Sequence, residues 1–135
     1  MIVKEHEAAY KEHLKHISRD IEEGIEENQR DIGFNISQGS VELFSIFLHK
    51  LNLIGSSGEM FDHRIFKTKK LAEKRLPSNF PQKNEILLLM KKIEIERNVL
   101  CYGKRKPPEK IKEVIKYFNN LREIINKELQ NARKK

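Results

Sequence analysis

The stretch QRDIGFNISQGSVELFSIFLHKLNLI (residues 29–54) decides the fold. Ile32, Phe34, Ile36, Val41, Leu43, Phe44, Ile46, Phe47, Leu48, Leu51 and Ile54 leave little room for a polar face. Ile36 and Val41 suit a strand as well as a helix, but so long an apolar stretch without turn residues reads as helix. A helix that is apolar on most sides is central in a bundle or lies in a dimer interface. Gly33 and Gly39 each cost about 1 kcal/mol relative to Ala inside it. Close approach of a neighbouring helix is the expected compensation.

The helical period continues on both sides of this segment. Tyr10, Leu14, Ile17, Ile21 and Ile25 form one stripe on a first helix over 3–27. Gly55-Ser56-Ser57-Gly58 closes the second helix, and Ser56 with Glu59 has capping-box spacing for a third helix over 59–75 that carries Phe61, Ile65 and Ala72. Leu76-Pro77-Ser78-Asn79-Phe80-Pro81 is the clearest break. Beyond it, Asn84 is the expected N-cap of a fourth helix carrying Ile86, Leu89, Met90, Ile93 and Leu100, which stops near Gly103. Pro107-Pro108-Glu109 opens a last helix striped by Ile111, Val114, Ile115, Phe118, Leu121, Ile125 and Leu129. The tail 133–135 is expected to fray. Short connections make this an all-α, antiparallel four- to five-helix bundle, one domain over 1–135.

Composition agrees with one domain. At 135 residues the chain is the size of a single core, and 38% hydrophobic content is enough to build one despite 35% charged residues. The longest apolar run, Ile86 to Met90, is far short of the roughly 18–20 residues that span a bilayer. Lys4, Glu5 and Glu7 stand where a signal peptide needs apolar residues. Cys101 is the single cysteine, so neither an internal disulfide nor a Cys-rich zinc site is expected. A cytoplasmic protein without membrane contact is the expectation. Abundant Lys, Glu and Ile with few Asp match thermophile composition. Charge is divided along the chain: residues 1–58 carry net −4 and residues 59–135 net +11. Either the second half forms a positive surface suited to polyanions, or the halves neutralise each other across the bundle.

Arg97 interrupts the apolar pattern. It lies about 40° from Ile93 around the fourth helix, inside the stripe. An Arg there snorkels, pairs with a carboxylate, or faces a cleft. Glu42, among the apolar residues of the second helix, is the expected partner if it pairs.

The run Glu96-Arg97-Asn98-Val99-Leu100-Cys101-Tyr102-Gly103 resembles the signature of the HEPN superfamily, the higher eukaryote and prokaryote nucleotide-binding domains. That signature is an Arg followed by a polar residue, often Asn, late in a helix, with a His a few residues on. Arg97 and Asn98 match, and the bundle with its long final helix resembles the family layout over nearly the whole chain. After four intervening residues, however, the position of the His is Tyr102. The resemblance implies a metal-independent RNase centre composed from two protomers, or a partner of a nucleotidyltransferase in a toxin–antitoxin-like pair. For cleavage it implies attack of the RNA 2′-hydroxyl on the adjacent phosphate, with Arg97 stabilising the phosphate charge, Asn98 orienting it, and Tyr102 as a weak substitute for proton transfer. Tyrosine ordinarily titrates near 10 against about 6.5 for histidine, so activity resting on Tyr102 is expected to be weak. Tyr102 could equally donate to a phosphate, stack on a base, or pack against a partner.

Lys104, Arg105 and Lys106 follow directly as a basic loop, either a phosphate-contacting segment or a solvated turn. His63 is the candidate for a histidine supplied from elsewhere in the chain. His13 and His16 could give two ligands to a metal, but His6 is roughly 10 Å away along the helix and no third ligand is evident. There is no Gly-rich phosphate loop, paired metal-binding carboxylates or Cys/His nucleophile arrangement, so neither metal nor cofactor is expected. Cys101 reads as a small packed side chain. The expected function is binding of RNA or a nucleotide phosphate by a homodimer, with weak RNase activity. The alternatives are a non-catalytic nucleotidyltransferase partner and a purely structural dimeric bundle.

Overall fold

The computed structural model describes residues 2–55 and 61–134. These residues form five α-helices and one 3-10 turn, with no strand among them: α1 (Val3–Glu23), α2 (Gln29–Lys50), the 3-10 turn His63–Lys67, α3 (Lys69–Arg75), α4 (Lys83–Cys101) and α5 (Pro108–Arg133). No described helix is long and apolar enough to cross a membrane.

Cross-helix pairs give the directions of packing. His6 meets Glu42 and His13 meets Asn35, so α1 runs antiparallel to α2. Gly33 faces Leu100 and Ser37 meets Arg97, so α2 runs antiparallel to α4. Glu96 meets Lys110 and Gln82 meets Glu128, so α4 runs antiparallel to α5. α2 is the central helix and packs on α1, α4 and α5. Its glycines mark the close approaches. A Cβ at Gly33 would stand 2.8 Å from Leu100 Cβ, and one at Gly39 would stand 3.3 Å from His13 Cβ. Phe44, fully buried on α2, gathers the rings of Phe47, Phe61, Phe66 and Phe80 at 5.4–6.5 Å and so ties the 3-10 turn and the 76–81 connection to the core.

Several boundaries differ from the periodic reading. α1 stops at Glu23 because Gly24 turns the chain at φ +136°, a conformation costly for other residues. Its inner stripe runs through His6, Ile17 and Asp20, while Ile21 is 42% exposed, so α1 turns a partly polar face inward. α2 ends at Lys50, four residues early. The single third helix is two pieces: Thr68 is extended, and its hydroxyl accepts from the Leu71 N–H to cap α3. The Ser56–Glu59 capping box lies outside the described residues. α4 begins at Lys83 with left-handed Gln82 as its cap, rather than at Asn84. Gly103, at φ +79°, follows the end of α4 as expected of a C′ glycine, and Pro108 occupies the first turn of α5.

Candidate functional site: the Arg97 cleft

α4 turns Glu94, Arg97 and Asn98 toward the 3-10 turn, because residues three and four apart share a helix face. Together with Tyr102 at the helix end and Asp62, His63, Arg64, Lys67 and Leu71 opposite, they line an open cleft of about 480 Å³. Arg97 is half-buried. Its Nη1 donates to Ser37 Oγ at 3.2 Å, and its guanidinium lies 5.2 Å from the centroid of the Phe34 ring. The aliphatic stem thus stays in the α4 stripe while the head sits on an aromatic face. Among the described residues no carboxylate pairs with Arg97.

Glu42, the expected partner, is engaged elsewhere. It lies five residues beyond Ser37, about 140° around α2, and accepts from His6 Nδ1 at 2.5 Å on the α1 side. The buried α1 histidine, not the Arg, took the carboxylate.

His63 does join Arg97, Asn98 and Tyr102 in the cleft. Its Nδ1–H donates to both Glu94 carboxylate oxygens, at 2.7 and 2.8 Å. The imidazole is 21% exposed and the carboxylate 4%. Arg64 is committed to Asp62, with the closest contact at 2.7 Å, and side-chain and backbone hydrogen bonds from Arg64 hold the Asp62 carboxyl well below the usual carboxylate range. With Glu94 held by His63 and Asp62 by Arg64, Lys67 and Arg97 are the cleft cations without an ion pair among the described residues. Asn98 and Tyr102 are exposed, Tyr102 by 65%.

The basic loop lies beside the cleft rather than in it. Arg105 Nη1 donates to the Glu26 and Glu27 carbonyls at 2.6 and 3.4 Å. The Lys106 N–H donates to Gln29 Oε1 at 2.9 Å, and Arg30 Nη2 donates to the Gly103 carbonyl at 3.2 Å. Arg105 therefore closes the α1–α2 turn, while the Lys104 side chain is exposed. Cys101 is half-buried with its thiol against the Arg30 carbonyl, and burial pushes the thiol pKa up. His13 is bonded to Asn35 and His16 to Arg19, both at 2.8 Å. Among the described residues no three His, Cys, Asp or Glu side chains converge to hold a metal.

The periodic reading missed Glu94, whose only signal was its place three residues before Arg97. It also missed Ser37, Phe34 and Lys67, which carry no local signal. No family model matches the chain, and comparison with curated proteins and solved structures finds no match.

Proposed function

We propose that the Arg97 cleft binds the phosphate backbone of RNA, the function the HEPN-like run implies. One observation carries the reading: a half-buried Arg97 without a carboxylate partner among the described residues shares an open cleft with Lys67, Asn98 and Tyr102. Such a guanidinium is available to an anion, and phosphate takes it bidentately. Asn98 and the Tyr102 hydroxyl add neutral donors, and the net +11 of residues 59–135 supplies long-range attraction. The face also fits a second copy of the chain. Tyr102 and Leu71 line the cleft, Phe34 stacks beneath Arg97, and these three apolar surfaces are 65%, 44% and 43% exposed. A dimer formed there sets two Arg97 clefts side by side.

Fluorescence anisotropy with labelled RNA tests the binding. Affinity should fall steeply with salt, and Arg97→Ala should weaken it by about tenfold at low salt, the loss of one charge-assisted phosphate contact. Absence of binding at low salt, or an unchanged affinity in Arg97→Ala, overturns the reading.

A further inference from the structure

Phosphate binding leaves one group in the cleft unused. His63 is fixed in ring orientation by Glu94, a carboxylate at 4% exposure that accepts its Nδ1–H at 2.7 and 2.8 Å. In the neutral imidazole this tautomer puts the lone pair on Nε2, which no described residue engages. The same cleft holds the Arg97 guanidinium. A base oriented by a buried carboxylate, in the same cleft as a cation able to hold phosphate charge, has the parts needed for proton abstraction at a phosphodiester.

We propose that His63, oriented by Glu94, is the proton acceptor for cleavage of an RNA phosphodiester held by Arg97; the inference rests on the RNA-binding reading above. The RNA 2′-hydroxyl gives its proton to His63 Nε2, and its oxygen forms a bond to the adjacent phosphorus. The bond from phosphorus to the 5′-oxygen breaks with its electron pair on that oxygen, which takes a proton from water. The products are a 2′,3′-cyclic phosphate and a 5′-hydroxyl, and the His63 imidazolium returns its proton to solvent. Arg97 neutralises the charge on the phosphate oxygens during attack. Glu94 is a positioning residue, since it acts through the imidazole.

Two substrates separate this step from binding. A 2′-O-methyl RNA pool of randomised sequence lacks the attacking hydroxyl and reports binding alone, while the all-ribose pool reports cleavage. The wild-type chain, in chelator, should bind the first and cut the second to cyclic-phosphate ends. His63→Ala and His63→Gln should both keep 2′-O-methyl affinity within about twofold while cleavage falls by about 100-fold or more, the usual worth of a general base. Added imidazole should restore part of the His63→Ala rate, a rescue that a structural role does not give. Glu94→Gln should lower kcat about tenfold with KM little changed. Wild-type binding without cleavage, undiminished cleavage by the His63 variants, or no rescue by imidazole overturns the proposal and leaves RNA binding standing. Failure of the wild-type chain to bind 2′-O-methyl RNA overturns the binding reading first.

Discussion

Asp20 shows how one side chain couples this bundle to pH. It is 3% exposed, and burial first, then the hydrogen bond and charge of Asp31, push its carboxyl up to about 7 from the usual 3.8. The folded state therefore holds the proton more tightly than the unfolded chain does. Its stabilising effect is fully present below about pH 4 and is lost as pH rises through about 7. Asp20→Asn should flatten that decline and raise the melting temperature above pH 7 by a few degrees, on the order of 1–2 kcal/mol. Melts at pH 5 and pH 8 check it, and equal pH sensitivity in the variant rules it out. Tyr102 offers a second single-residue test. A histidine placed there adds a group titrating near 6.5 to a cleft that already holds Arg97, so Tyr102→His should raise RNA cleavage. Adding Arg97→Ala to that variant should abolish the gain, because the phosphate then loses its counter-charge. Initial rates on one structured RNA decide it, and a gain that survives the loss of Arg97 places the chemistry elsewhere.

The segment between α4 and α5 combines two roles that its sequence does not separate. Lys104, Arg105 and Lys106 read as three equivalent charges, yet Arg105 is drawn onto the Glu26 and Glu27 carbonyls at the end of the α1–α2 turn. Those are orphan groups of a chain reversal, and a guanidinium is well suited to satisfy two at once. Neutralising Lys104 and Lys106 together should flatten the salt dependence of RNA binding while leaving the melting temperature within a degree or two. Arg105→Gln should instead lower stability by about 1 kcal/mol. If the lysine pair leaves the salt slope unchanged, the loop is only a turn. Between elements, α2 sets the geometry of the cleft. The absence of a side chain at Gly33 lets α4 approach at Leu100, three residues beyond Arg97, and thereby sets Arg97 against Ser37 and Phe34.

For the molecule as a whole, the apolar surface around the cleft bears on assembly. Phe34, Leu71 and Tyr102 are more exposed than the core requires, and Arg97 links the first and last of them. Covering this face with a second copy should give about twice 16.0 kDa by light scattering at micromolar concentration, with an interface of at least roughly 1,000 Å². A clean monomer at that concentration sinks the dimer while leaving the single-chain cleft intact. The basic loop is held in place through backbone carbonyls, without ion pairs among the described residues: Arg105 donates to the Glu26 carbonyl in the α1–α2 turn, and Arg30 of α2 donates to the Gly103 carbonyl. The cleft itself contains Asp62 and Glu94, each held by a neighbouring basic side chain. Within the cleft the positive charge unpaired among the described residues is therefore that of Arg97 and Lys67, with the exposed Lys104 beside it.

Sequence alone determined the helical class, the stripes of α4 and α5 and the position of Arg97 within its stripe. All of these follow from a 3.6-residue period, which is a local property of the chain. It also placed His63 among the candidates to stand with Arg97, but not its partner. Tertiary structure alone decided that Glu94 would hold His63, that Glu42 would go to His6, and that Arg105 would serve the α1–α2 turn. Each of these contacts joins residues 31 to 79 positions apart. Which carboxylate meets which cation depends on the register and rotation of packed helices, set by close approaches such as Gly33 on Leu100, and hydrophobic periodicity carries no information about either.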